Sequence, residues 1–430
     1  MVGSGPWRPI LLLAGVVLAL APAALAPRAV AAATLTFAVT GAQDAHDATP
    51  GDGACAASTG QCTLRAAIEE ANAQAAGSTI TIKVPAGIYA LTLGALAIGR
   101  NTVIVSGAGP SRTVVTAGGL SQILRVAHSS VAALIGLALT GGNAGAATGG
   151  GLANSGTTLL IACAVVNNTA TRRGGISNAT GAVLALESSA VLSNTTAINA
   201  LTLNGGNGGG IWNGGTLYAI SGTISGNSSG SGGYGNANPA GSGGNGGGIW
   251  SSGTLSVGNS TLSGNGGGPG GPSNCGYGQC GGAGSQGMGG GLLAAGGSAA
   301  LSYATVAANA DGLDDIGGTV TVTGTILANG GPNCSGVIGE LQGYNLESGA
   351  TCGFAQTTDL TQTNPLLGPL ALNGGATATM AVPAGSPAID HGGTQATGCP
   401  ATDQRGLPRP DEVGDGGACD IGAYESQGLG

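Results

Sequence analysis

Four acids stand in the repetitive middle of this 430-residue chain: Glu187, Asp311, Asp314 and Asp315. Two carboxylates across a cleft would suffice for glycoside hydrolysis, one as general acid and one as base or nucleophile. The run DGLDD, residues 311–315, comes nearest to such a group. It reads equally as a polar corner, or as a calcium loop with Asp311, Asp314 and Asp315 as ligands. DAHDATPGDG, residues 44–53, offers a second calcium set in Asp44, Asp47 and Asp52, or only a solvated turn. A lyase would need calcium-binding acids beside an Arg or Lys base, and Arg172 and Arg173 have no acidic cluster near them in sequence. His46, His128 and His391 are isolated, so no Ser–His–Asp set is made. Trp212 and Trp250 occupy one phase of adjacent repeats; they could stack on sugar rings or simply pack on each other. Tyr234 and Tyr277, in Gly-rich insertions, complete the aromatic candidates for a binding surface.

These residues sit in a repeating frame. NGGGIWNGGTLYAISGTISGN, residues 207–227, returns as NGGGIWSSGTLSVGNSTLSGN at residues 245–265. Aligned on apolar-x-x-Asn, the series is Val165–Asn168, Val191–Asn194, Ile224–Asn227, Leu262–Asn265, Val306–Asn309 and Ile326–Asn329. Upstream of the first five stands Gly-Gly and then Leu152, Ile176, Ile211, Ile249 or Leu292, at 16, 18, 16, 16 and 17 residues from the Asn. The Asn-to-Asn spacing instead wanders through 26, 33, 38, 44 and 20. The variation therefore falls at one phase, in insertions such as SSGSGGYGNANPAGSGG and GGGPGGPSNCGYGQCGGAGSQGM. A unit this short cannot bury its own inner face and must stack on its neighbour as one coil of a solenoid. Burying one Val, Leu or Ile contributes roughly 1.5–3 kcal/mol, which a lone strand would not set against its backbone entropy. The apolar residues should form internal files, and the Asn residues should align from coil to coil, bonding to the backbone or to one another in a ladder. Insertions at one phase emerge along one edge, as binding loops or as tolerated spacers.

Composition agrees. Glycine accounts for 89 residues, charged residues for 7% and aromatics for 3%, which excludes coiled coils and helix bundles. The 42% hydrophobic content argues against disorder. The formal net charge of -8 and the single lysine, Lys83, make nucleic acid a poor partner. Arg8 followed by ILLLAGVVLALAPAALA (10–26) and small residues reads as a signal peptide over 1–33. No later run is long enough to span a bilayer, so a secreted or cell-surface chain is expected. Cysteine usage fits an oxidising compartment, with close pairs Cys55/Cys62, Cys275/Cys280, Cys334/Cys352 and Cys399/Cys419, although spacing does not fix connectivity. Cys163, in LLIACAVV, reads as a small core residue. No second CxxC or clustered His supports zinc.

The expected organisation is an N-terminal cap over 34–78, a parallel β-helix over 79–330, and C-terminal coils with a cap over 331–430. The cap holds a strand, a disulfide loop and a helix at 63–75. Thr63 caps that helix; Leu64, Ala67, Ile68 and Ala71 face the core, and Glu69, Glu70 and Gln74 face away. The region after Cys334 is expected to close the far end. Its charges, Asp390, His391, Asp403, Arg405, Arg409, Asp411, Glu412, Asp415, Asp420 and Glu425, read as Arg–carboxylate pairs pinning irregular turns, or as a polar ligand or calcium site.

Three stretches carry a resemblance. CTLRAAIEEANA (62–73) resembles the CSLREA-type N-terminal segment of secreted bacterial proteins. SPAIDHG (386–392) with DQRGLPRPDEVGDGGACDIGAYE (403–425) resembles the choice-of-anchor Q domain. The repeats resemble those of polymorphic outer-membrane proteins, with Val, Ile or Leu in place of Phe. The resemblance implies a right-handed parallel β-helix, secreted or displayed at the cell surface, and supplies no catalytic residues. The NTD, DD, GHG and RIK set of polygalacturonase-like enzymes is not assembled: only the Asp pair occurs, and DHGG (390–393) lacks the Gly before His. The expected function is a non-catalytic adhesion or glycan-binding module without a cofactor, calcium apart. The competing class is a polysaccharide lyase or glycoside hydrolase.

Overall fold

Short β-branched runs cut by glycine favour strands of three to five residues. The computed structural model describes residues 34–198, 203–234, 239–273, 275–276, 279–280, 282–410 and 417–428. The signal peptide expected over 1–33 lies outside them. Three long sheets of 11, 9 and 10 strands run the length of the molecule, and within each every paired strand is parallel to the next. Neighbouring strands come from successive turns of chain, so the fold is a parallel β-helix.

One coil shows the plan. Ile211–Asn213 lies in the nine-stranded sheet, Thr216–Ile220 in the eleven-stranded sheet and Thr223–Ser225 in the ten-stranded sheet. The chain then turns at Asn227, runs through an insertion and starts the next coil at Ile249. The Gly-Gly-apolar residues Leu152, Ile176, Ile211, Ile249 and Leu292 form one buried file. Val165, Val191, Ile224, Leu262 and Val306 form another. Ile326 does not join it. Val306 pairs with Leu327, and Ile326 pairs with Thr305. The last coil reaches its Asn one residue sooner, so the strand slips by one while the amide keeps its place.

That amide ladder is continuous. The Nδ2 of Asn168 donates to the Oδ1 of Asn194, and the pattern repeats through Asn227, Asn265, Asn309, Asn329 and Asn333 at 2.9–3.2 Å. Each backbone N–H in the row also donates to the next Oδ1. The amide dipoles align, with donors pointing to the C-terminal end. There Asn333 meets the carboxylate of Glu347, wholly buried and further satisfied by Thr351 and Cys352. A negative group at the donor end of a polarised row is the favourable arrangement. A second ladder, Asn154–Asn178–Asn213–Ser251, lines the corner after the nine-stranded sheet.

The first coil carries the helix α1, Leu64–Ala73, capped by Thr63 Oγ1 accepting from the Ala66 N–H. Leu64, Ala67, Ile68 and Ala71 are buried as expected. Glu70, expected outside, is buried as well, because its carboxylate takes the N–H groups of Gly51 and Gly53 at 2.5 and 2.7 Å. The strand Thr34–Ala38 pairs with Thr79–Lys83, so it already belongs to the stack. Cys55–Cys62, Cys334–Cys352 and Cys399–Cys419 are bonded, and Cys163 is free and buried.

The far end is closed by residues 334–360, but the tail beyond does not sit there. It returns along the outside of the ten-stranded sheet, where Thr223, Thr261 and Thr305 stand in register. Thr223 donates to Ala378 O, Thr261 to Gln404 Oε1, and Ala423 N–H to Thr305 Oγ1. Arg409–Glu425 and Arg405–Asp403 pair at 3.2 and 2.8 Å inside this tail. These two pairs hold turns of the tail; Asp411, Glu412 and Asp415 lie outside the described residues.

The ladder makes a prediction. Asn227→Ala leaves the Asn194 N–H without its acceptor and Val191 O without the amide that donates to it, and it takes one of two partners from Asn194 Nδ2 and from Asn265 Oδ1. A buried polar group left unpaired costs about 1–3 kcal/mol. Denaturant unfolding should register a loss of about 3 kcal/mol or more, against under about 0.5 kcal/mol for the exposed Val337→Ala. Equal losses in the two variants would contradict the ladder.

Candidate functional site

In each three-residue strand of the nine-stranded sheet the middle side chain points out. Register therefore makes an external column: Arg125, Ala153, Ser177, Trp212, Trp250, Leu293 and Asp314. The two Trp rings stack at 5.1 Å with 9° between planes. The Arg173 guanidinium lies 3.4 Å from the Trp212 centroid and reaches Ser177 Oγ at 3.4 Å. Trp212 is thus held between Arg173 of the preceding coil and Trp250 of the following one.

The insertions build the facing wall. Their hydrogen bonds recur every three residues. Gly230 N–H donates to Gly206 O and Gly233 to Leu203; Gly244 to Gly230 and Gly241 to Gly233; Gly268 to Gly244 and Gly271 to Gly241; Gly287 to Gly268 and Gly284 to Gly271. Successive segments are therefore antiparallel. Alternate segments are parallel, with Gly205 and Gly208 donating to Ser242 and Asn245, and Gly243 and Gly246 to Ser285 and Met288. A three-residue period is that of the polyproline II helix, which bonds only between chains. Residues 204–207, 229–233, 240–245, 266–271 and 282–288 make a bundle of such helices, closed at Leu203, Gly208 and Gly246 by left-handed turns. Their approach requires glycine: a methyl on Gly244 or Gly268 would fall closer than 3.0 Å to the carbonyl of Gly206 or Gly230. The insertions are neither simple spacers nor separate loops. They stack coil on coil, as the strands do.

Between bundle and column lies an open groove of about 440 Å³, lined by Arg172, Arg173, Asn204, Asn207, Trp212, Ser242 and Asn245. That volume falls in the range of small-ligand sites. Asn204 and Ser242 are joined by a bond from Ser242 N–H, and Asn207 and Asn245 likewise. Burial, and then the charge of Arg172, lower the pKa of Arg173 from its ordinary value. Tyr234 is exposed beside the bundle segment 229–233. Tyr277 lies outside the described residues, as do the side chains of Cys275 and Cys280, whose backbones pair in a short antiparallel ladder.

Among the described residues no three His, Cys, Asp or Glu converge to hold a metal ion. Asp44 binds Arg65 at 2.6 and 3.1 Å and accepts from the N–H groups of Thr92 and Leu93. Burial acts to raise its pKa, but these partners hold it below the ordinary value. Asp47 caps Thr49 and Ala56, and Asp52 caps Ala54. Asp311 and Asp314 do come together, sharing the N–H of Gly289, with Gly290 N–H also on Asp311. Asp315 turns away onto Gly317 and Gly318. Sequence reasoning found the Trp pair but missed the groove's amides. The signal for them was the Asn at a fixed place before Gly-Gly, in NGGNGGGI and GGNGGGI.

Two predictions follow from these contacts. Burial first, and then the Asp311 charge, push the Asp314 carboxyl up to about 6, from an ordinary 3.8. Between roughly pH 4 and 6 the folded chain keeps a proton that the unfolded chain has lost, so this group's contribution to stability falls as pH rises through that window. Asp314→Asn should flatten that slope and raise the melting midpoint at pH 7; an unchanged slope contradicts the assignment. Gly244→Ala should open the bundle, exposing 203–291 to limited proteolysis while far-UV circular dichroism keeps the coil signal. Unchanged proteolysis would show the bundle is not packed this way.

Compared with known proteins, the chain matches no protein family and no curated protein. A solved structure described as Geobacillus virus E2 ORF18 is similar over 66% of this chain at 11% identity and a TM-score of 0.29, a likeness too slight to carry an argument. The match spans 56% of that structure's length.

Proposed function

We propose that this chain is a secreted or surface-displayed, non-catalytic interaction module, used in adhesion, whose groove binds a glycan. The observation that carries the reading is the Arg173–Trp212–Trp250 stack set against the amides and hydroxyl of Asn204, Asn207, Asn245 and Ser242 on a glycine-packed wall. Amide and hydroxyl groups both donate and accept, as sugar hydroxyls do. Rigid walls reduce the ordering cost of binding. Trp212, stacked between two neighbours, offers an edge rather than an open face. Secretion is supported by the disulfides, which persist in oxidising compartments. Among the described residues no helix is long and apolar enough to cross a membrane. The segments similar to CSLREA-type and choice-of-anchor Q proteins, and the repeats similar to polymorphic outer-membrane proteins, support surface display.

The hydrolase reading has one observation in its favour, the raised pKa of Asp314. Its geometry is unfavourable. Asp311 and Asp314 both accept from the one N–H of Gly289, so they meet over a shared backbone donor and do not face each other across a cleft as a glycosidase pair does. The test is an immobilised-glycan panel run beside assays for reducing sugar and unsaturated product. Binding without product, weakened at least tenfold by Trp212→Ala in a chain that keeps its far-UV circular dichroism, is expected. Product release would establish an enzyme; no binding across the panel would overturn the reading.

A further inference from the structure

We infer that the groove selects a carboxylate-bearing oligosaccharide, its anionic groups held by Arg172 and Arg173 and, two coils earlier, by Arg125. The inference rests on the glycan-binding reading above and names the class of glycan.

Charge placement is the first ground. The chain carries only 11 Lys and Arg against 19 Asp and Glu. Arg65, Arg405 and Arg409 each close on a carboxylate of Asp44, Asp403 or Glu425. Among the described residues Lys83, Arg100, Arg112, Arg125, Arg172 and Arg173 make no ion pair, and of these Arg125, Arg172 and Arg173 line the two grooves. Arg173 spends its guanidinium on the Trp212 face and one long bond to Ser177. Arg125 bonds to Gln122 through its Nε. In an acidic protein, three arginines without counter-ions on one face are a positive field kept for a ligand. Half-burying Arg173 without a carboxylate is unfavourable, and an incoming carboxylate would relieve it.

Register is the second ground. Arg125 and Ser177, the anchor of Arg173, are two strands apart in the column, about 10 Å. A second groove, lined by Gln122, Arg125 and Asn143, lies at that earlier level on the same face. The anion contacts are thus spaced along the coil axis, as charges on an extended chain are. Beyond Trp250 the column reaches Leu293 and then Asp314 with its neighbour Asp311. Both Leu293 and Asp314 are buried, so the accessible column ends at the Trp pair and has a direction: charged sugars at the Arg125–Arg173 end. The rows of Asn and Ser beside the arginines favour a hydroxyl-rich ligand over a bare anion or an acidic peptide.

The experiment uses the whole chain and oligosaccharides bearing uronic or sialic acid, each paired with its methyl ester. The ester keeps every hydroxyl and loses only the charge. At least one acid should bind tenfold or more tightly than its ester, with the preference shrinking as salt rises. Arg172→Gln with Arg173→Gln should reduce the preference to within twofold. Arg125→Gln should lower acid binding several-fold and leave ester binding unchanged. Arg173→Lys keeps the charge but loses the planar fork on Trp212, and should recover only part of the affinity. If esters or neutral sugars bind as well as every acid, the inference falls and glycan binding stands. If nothing on the panel binds, both fall. The acid–ester comparison on the unaltered chain decides the matter even where a variant fails to fold.

Discussion

A coil of this chain has no inner wall of its own, and everything else depends on the next coil supplying it. Val191 is covered because Val165 and Ile224 lie directly above and below. Register is enforced twice. A slip by one residue would turn the apolar file outward, and it would break the row of amides that joins each Asn to the next. The ladder tolerates the single slip at Leu327 because Asn329 keeps its place while the strand moves. Its donor end closes on the buried Glu347, so the polar row finishes on a charge of the favourable sign. The same stacking supports the returning tail, which finds Thr223, Thr261 and Thr305 already aligned to receive Gln404 and Ala423.

The insertions obey that constraint outside the barrel. They enter after equivalent Asn residues, so they leave at one edge and meet their own copies. With almost no side chains to pack, they pack backbone on backbone, each carbonyl taking an N–H where a Cβ would otherwise stand. The result is a wall whose polar side chains are spaced by the helix period along a segment and by the coil period across segments. Against it the column of the nine-stranded sheet presents Arg173, Trp212 and Trp250. The groove follows from two stacked arrays meeting at an angle that the coil fixes.

Much of this was legible in the sequence for a physical reason. Where one residue type recurs at a fixed distance from Gly-Gly, the recurrence reports a shared environment, and Leu152 through Leu292 proved to be one file. The disulfides Cys55–Cys62, Cys334–Cys352 and Cys399–Cys419 were legible because short loops close easily. The buried Glu70 was not, since its partners Gly51 and Gly53 belong to a loop without periodicity. The tail's course was not legible either: Gln404 meets Thr223 across 181 residues, and nothing local announces such a contact. The second amide ladder was present in GGLAN, GGISN and GGIWN, but three-residue strands give too short a window to separate inward from outward places. The partners of Asp44, Asp47 and Asp52 were not legible, because spacing alone does not say that an Arg or an N–H takes the oxygens.

Two arrays in contact imply one rigidity. The most direct test is amide hydrogen exchange of the whole chain, followed over segments 204–207, 229–233, 240–245, 266–271 and 282–288. If the glycine segments stack as the coils do, the interior N–H groups of Gly230, Gly244 and Gly268 should exchange as slowly as those of Ile211–Asn213 and Thr216–Ile220. Exchange at the rate of free loops, with the coil strands still protected, would contradict the glycine wall and remove the groove with it.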